Sequence, residues 1–235
     1  MSHLLSTMRV DVTLQARSRL YHIGIGVAVV MGVAVRLFID HDALRSALPM
    51  LILLAMGNTT YVFVAGMVLF EKGEHTLDAI VVSPLSVPVY LLSKIVTLTA
   101  FALVETTILL VIGFGVTGFS PWLLALGALT VGVMWTLVGL AQVVRYNAVT
   151  DFLMPGAMIV GLIPALPLLD VLGIWPSPVW YLVPTYPSLL ILTAAFRSIE
   201  PWQWVYAIGY STLLIVAGSV LARGEFVKHI VQRRW

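Results

Sequence analysis

The sequence predicts an all-α integral membrane protein with six transmembrane helices, and three observations carry that prediction. Sixty per cent of the 235 residues are hydrophobic and only 10% are charged, where a soluble domain carries about 25% charged residues. The mean hydropathy is +1.01. Six stretches reach the roughly 20 apolar residues needed to cross the hydrocarbon. Their approximate bounds are 20–39, 47–70, 87–114, 121–144, 152–175 and 202–222. So few charges cannot clothe a water-soluble surface, which excludes a soluble enzyme, a disordered chain, a coiled coil and a collagen-like fibre. The chain has no cysteine, so disulfides, thiolate metal sites and thiol catalysis are excluded too. The net charge of +2 does not imply nucleic acid.

The elements follow in order, as an N-terminal unit (1–19) and a six-span domain (20–235). In residues 1–19, Leu4, Leu5, Met8, Val12 and Ala16 share one helical stripe and Arg9, Thr13 and Arg17 lie elsewhere. This predicts an amphipathic helix lying in the membrane interface, in contact with lipid. Residues 8–16 also alternate apolar and polar like a strand, but no second strand is on offer to pair with them. The stretch 20–39 resembles a signal peptide in length. No small-residue cleavage site follows it and five more spans do, so it reads as a retained helix. Gly24, Ala28 and Gly32 on the first span, and Ala128, Gly132 and Thr136 on the fourth, make small-residue faces that suit helix packing. Pro155, Pro164 and Pro167 should kink or break the fifth span. Pro176–Pro201, with five prolines and an apolar run of only 188–196, predicts a broken, partly re-entrant outer segment before the last span, tolerated at membrane depth only if protein surrounds it.

Orientation follows from the basic residues. With the N-terminus inside, only Arg36, Arg45 and Arg197 of the 13 Lys and Arg fall outside. That asymmetry places both termini in the cytoplasm. Lys94 lies near the inner end of the third span, where its stem can snorkel to the interface.

Catalytic signatures are missing. There is no G-x-x-x-x-G-K-[ST], so the chain does not hold ATP by a P-loop, and no H-E-x-x-H. Ser211 lacks the following glycine of a nucleophile elbow. The five histidines form no i, i+4 pair, so no metal site is expected. Two groups of polar residues lie within spans. Glu105 is a lone carboxylate in the third; it either lines a cavity for a cationic substrate or sits as a neutral acid bonded to a neighbouring helix. Asn58, Thr59, Thr60 and Tyr61 cluster in the second, to line a pathway or to bond across helices.

The most informative stretch is the loop between spans two and three, from Glu71 to Pro84. It starts charged, runs into a short apolar helix with Leu77, Ile80 and Val81 on one side, and stops at Ser83-Pro84. Its layout resembles the ABC-2 type permeases, the six-span membrane subunits of bacterial ABC exporters. Thr76, Leu77, Asp78, Ser83, Pro84 and Lys94 match that family's loop at every spacing. His75 stands where the family usually has glycine, and Asp78 replaces the commoner glutamate. The run 70–84, the turn Arg145-Tyr146-Asn147 and the proline-rich fifth span are most similar to the fluoroquinolone-export permease subgroup.

The resemblance implies a multi-pass protein of the bacterial inner membrane that moves a hydrophobic or amphipathic small molecule, such as a drug, outward. It implies a separate ATPase subunit holding ATP and Mg, no cofactor in this chain, and a second permease subunit, identical or different. The coupling loop to the ATPase would comprise Glu71, Glu74, His75, Thr76, Leu77, Asp78, Ser83 and Pro84. A smaller second contact would involve Arg145, Asn147 and Asp151. The rival readings are a proton-coupled secondary transporter using Glu105, an intramembrane hydrolase and a non-transporting scaffold. The first lacks visible paired repeats.

Overall fold

The computed structural model describes residues 2–77 and 85–232, and among them there is no strand. The first helix, α1, is Ser2–Arg17. An elbow at Arg19, in the left-handed region at φ 58°, turns the chain into α2, Leu20–Phe38. Then come α3 (His41–Gly73), α4 (Val87–Gly113), α5 (Pro121–Val143) and α6 (Val149–Ala165). A single turn α7 (Leu168–Val171) and a 3-10 turn (Pro178–Leu182) lead to α8 (Tyr186–Ala194), α9 (Pro201–Phe226) and a closing π turn. Six of these helical stretches are long and apolar enough to cross a membrane. The protein is an all-α membrane protein.

Local chemistry fixes most boundaries. Helices α4, α5 and α9 each open with proline in the first turn, where its missing N–H costs nothing. The fifth span starts at Val149 and its long helix stops at Ala165, short of the expected 175. Pro164 and Pro167 deny the next turn its donors, and Gly173 at φ 67° closes the break. Span two is longer than predicted: α3 begins at His41 and runs on through Pro49, Gly57 and Gly66 to Gly73.

The bundle is organised around α5, whose Val131, Trp135, Leu137 and Leu140 are buried. It packs against α3, α4, α8 and α9. The expected outer segment does contain a short helix surrounded by protein: every residue of α8 is buried. At Gly127 of α5 a Cβ would stand 2.7 Å from Leu192 of α8, so glycine is what lets the two helices meet. Gly24, Ala28 and Gly32 are the buried face of α2, set against α4. Gly132 of α5 approaches Thr99 of α4 in the same way. Both small-residue faces are packing seams. The outward sides of α2, α6 and α9 carry exposed Val30, Leu37, Met154, Met158, Val205 and Val216, the surface that acyl chains can cover.

The closing π turn, the end of α3 with residues 74–77, the start of α4 and the α5–α6 turn lie at one end of the bundle, called here the terminal end. Phe226 packs on Tyr90 there, and Arg145 pairs with Glu225. The far end carries the α2–α3 and α4–α5 turns and residues 172–200.

Candidate functional site

Where α1, α3 and α4 meet at the terminal end, the structure buries a charge network. Tyr90, Ser93, Lys94 and Thr97 recur at helical spacing and so form one polar stripe on α4. Opposite them, Asp11 and Gln15, one turn apart on α1, are also buried. The Lys94 ammonium donates to Asp11 Oδ1 at 2.5 Å and to Glu71 Oε1. Ser93 donates to the other oxygen of Asp11, and the Tyr90 hydroxyl donates to Glu71 Oε2 at 2.5 Å. The network continues through Gln15, whose amide donates to Thr97 at 3.0 Å and accepts from Tyr21 of α2 at 2.6 Å. Lys94 is fully buried. A buried ion is tolerable only when its partners are close and their remaining valences are filled, which is the arrangement here.

This corrects two expectations. Lys94 does not snorkel outward; its position in phase with Tyr90 and Ser93 points it at α1. Glu71 is not an exposed loop residue, because α3 continues past it and helical phase puts it in line with buried Val64 and Met67. The predicted α1 helix is present, but its inward face is Leu4, Met8, Asp11, Leu14 and Gln15, whereas Leu5, Val12 and Ala16 are exposed. Asp11 was missed. The signal available in the sequence was a lone acid four residues before a glutamine on an otherwise basic helix.

The loop begins as expected after this junction. His75 takes the left-handed conformation at φ 57°, the backbone state glycine adopts most cheaply. This gives a physical reason for glycine at that place in similar loops. The turn is held by Glu74 N–H to Phe70 C=O at 3.0 Å and by the Thr76 hydroxyl to Glu71 C=O at 3.0 Å. Glu74, His75 and Thr76 are exposed and Leu77 is buried. Asp78, Ser83 and Pro84 lie outside the described residues. Lys72, one residue beyond Glu71, donates to the carbonyls of Val144 at 2.6 Å and Tyr146 at 2.7 Å. A cation there caps the C-terminal carbonyls of α5 and ties the first loop to the second. In that second turn Arg145 pairs with Glu225 of α9 at 2.9 Å, and Asn147 and Asp151 are exposed.

The polar group in the second span divides. Asn58 is exposed. Thr59 donates to its own helix at Ala55 C=O, 2.8 Å. Thr60 is buried with no hydrogen-bond partner among the described residues. Tyr61 is hydrogen-bonded to Gln142 and stacked on Phe152. Only Asn58 faces out of the protein, so the four do not line one surface. Glu105 is buried too, and its Oε2 has no partner among the described residues. Its Oε1 stands 2.3 Å from where a Cβ on Gly24 would be. The cavity beside it, between α2, α3 and α4, is only about 10 Å³, about one water probe. Among the described residues, therefore, Glu105 has neither the wide cavity nor the helix-to-helix hydrogen bond. No cluster of possible metal ligands occurs among the described residues.

Comparison with known proteins gives a consistent answer. Residues 2–234 match the family described as the fluoroquinolones export permease protein family. The chain is 31% identical to the fluoroquinolones export permease proteins of Mycobacterium tuberculosis strains CDC 1551 / Oshkosh and H37Rv. Each match covers 99% of this chain and 98% of the relative. No solved structure matches.

Proposed function

The chain belongs to the fluoroquinolones export permease protein family, and from that premise we propose that it is the membrane subunit of an ATP-driven exporter. On this reading a separate ATPase subunit holds ATP and Mg, and a second permease subunit completes the pathway. The terminal end faces the cytoplasm of a bacterial cell, across its inner membrane. The cargo is an amphipathic small molecule, for which fluoroquinolones are the first compounds to try.

The observation that carries this reading is the join between loop and bundle. Helix α3 runs unbroken from His41 to Gly73, and the exposed turn Glu74–Thr76 follows it directly. A push on that turn by a docked ATPase reaches α1 and α4 through Glu71 and Lys94, and reaches α5 through Lys72. The exposed residues Glu74, His75 and Thr76 form the main docking surface; Asp78, Ser83 and Pro84, expected to belong to it, lie outside the described residues. Asn147 and Asp151 on the neighbouring turn form the smaller one. The sequence has no P-loop, so on this reading the binding of ATP falls to the partner subunit.

The test is co-expression with candidate ATPase subunits and purification through this chain. The expected result is a stable complex whose ATP hydrolysis is stimulated by a fluoroquinolone, and an isolated chain that binds no ATP. Tight nucleotide binding by the isolated chain would overturn the proposal. Glu105→Gln is expected to leave ATP-driven export unchanged, since that carboxyl is wedged between α2 and α4 beside a cavity of only about 10 Å³. Loss of export in that variant, with the ATPase still bound, would favour proton coupling instead.

A further inference from the structure

We propose that the pocket between the start of α3 and the end of α8, at the far end of the bundle, binds the phosphate of one anionic phospholipid. The inference goes beyond the export reading and does not depend on it.

The pocket has a volume of about 370 Å³, within the usual range of about 300–1,000 Å³ for small-molecule sites. Arg45, Ser46 and Pro49 line it from α3, and Thr193, Phe196 and Arg197 from the end of α8 and the residues after it. Pro49, Thr193 and Phe196 are buried and make a largely apolar floor. The Phe196 ring is held by Phe114, edge-on, and by Phe119. The rim is cationic, since Arg45 and Arg197 are exposed.

Neither arginine is tied down by the fold. A cation just past a helix end ordinarily caps its last carbonyls. Here the carbonyls of Leu192 and Thr193 already accept from the backbone N–H groups of Ala195, Phe196 and Arg197, and that of Ala195 accepts from Ser120 at 2.8 Å. The Arg197 side chain has no hydrogen bond or ion pair among the described residues. Arg45 reaches only the Gly118 carbonyl, at 3.4 Å, which is long for a hydrogen bond. The Ser46 hydroxyl has no partner among the described residues either. Two guanidinium groups and a hydroxyl thus surround one pocket as spare donors, and the two like charges repel until an anion lies between them. Asp42 precedes Arg45 by one turn of α3, and counting it against the two arginines still leaves one positive charge.

The guanidinium fork matches phosphate oxygens. The level in the membrane points to a lipid as the source. Trp122 and Trp202 are exposed at the same end, and tryptophan collects at headgroup depth. The apolar floor suits the glycerol ester and first acyl carbons of a lipid, whereas a free phosphate would leave it to water. A zwitterionic headgroup brings its own cation, which the arginines disfavour.

The experiment uses the full chain, delipidated in neutral detergent, with lipid binding read by native mass spectrometry. The probes are dioctanoyl phosphatidylglycerol, dioctanoyl phosphatidylcholine and inorganic phosphate. The first should bind about tenfold more tightly than the second, and phosphate at equal concentration should not displace it. Arg45→Gln combined with Arg197→Gln should weaken phosphatidylglycerol binding about tenfold or more and abolish its advantage over phosphatidylcholine. Arg36→Gln should change neither, since Arg36 lies outside the pocket and donates to Ile112 C=O. Unchanged phosphatidylglycerol affinity in the double variant would overturn the inference. Equal affinity of the native chain for the two lipids, a comparison that needs no variant, would do the same. Displacement by inorganic phosphate at equal concentration would assign the pocket to a free anion and overturn the lipid assignment. No arm uses ATP or cargo, so each of these results leaves the export reading as it stands.

Discussion

The two ends of the bundle are held by different chemistry. At the terminal end, one buried ammonium joins three helices through two carboxylates, with Ser93 and Tyr90 filling the remaining valences. At the far end, aromatic rings and main-chain carbonyls do the joining. Tyr181 touches Tyr186, Trp202 and Tyr206. The Tyr206 hydroxyl donates to Tyr181 C=O at 2.5 Å, and Trp180 Nε1 donates to Trp175 C=O at 2.8 Å. Tyr186 donates to Asp170 at 2.6 Å. The charge network is concentrated, because losing one member strands the others in a place without water. The aromatic end is distributed, because each ring keeps most of its neighbours when one contact is lost.

That contrast can be broken experimentally, and the largest effect should come from Lys94. Lys94→Met leaves two carboxylates buried together, and breaking such a group costs about 3–5 kcal/mol. The expected outcome is a large drop in thermal stability in detergent, with much of it restored when Asp11→Asn and Glu71→Gln are added. Equal stability of Lys94→Met and the native chain would mean that the network does not hold the three helices.

At the far end, Tyr206→Phe removes one hydrogen bond and keeps the ring, at a cost of about 0.5–1.5 kcal/mol. A smaller shift in melting temperature than for Lys94→Met is expected in the same assay; a collapse as large would erase the distinction between the ends. The smallest effect should come from Arg145→Gln. That ion pair with Glu225 is at the terminal end, but the Arg145 side chain is 54% exposed, and exposed pairs contribute about 0.2–1 kcal/mol. A loss comparable to that of Lys94→Met would show that burial is not what separates strong from weak charges here.

The six spans were legible because length and apolarity are properties of contiguous sequence. The proline openings of α4, α5 and α9, and the break after Ala165, are equally local. The charge network was not legible in the same way. Asp11 and Lys94 are 83 positions apart, and no periodicity connects them. The amphipathic reading of α1 set the stripe with Leu5, Val12 and Ala16 in the membrane interface and named no protein contact; the structure adds one, Asp11 and Gln15 against α4. In water the apolar face packs inward; beside lipid it can turn outward while the polar face meets the polar stripe of a neighbouring helix. Glu105 shows a similar limit. Its burial could be read from its place in an apolar span, but its fit over Gly24 depends on how closely α2 and α4 approach. The loop motif from Thr76 to Lys94 was visible as spacing, and the left-handed turn at His75 was not.

The buried charges also have an order in time. Asp11, Glu71 and Lys94 all lie within the first 94 of 235 residues, and both carboxylates leave the ribosome before the ammonium that neutralises them. Synthesis proceeds at roughly 5–20 residues per second, N-terminal regions first. The 22 residues separating Glu71 from Lys94 therefore represent a few seconds at most during which α3 ends in an unpaired acid. Emergence of the third span supplies the missing cation, so the N-terminal half can close its own polar junction before α5, the centre of the finished bundle, has been made.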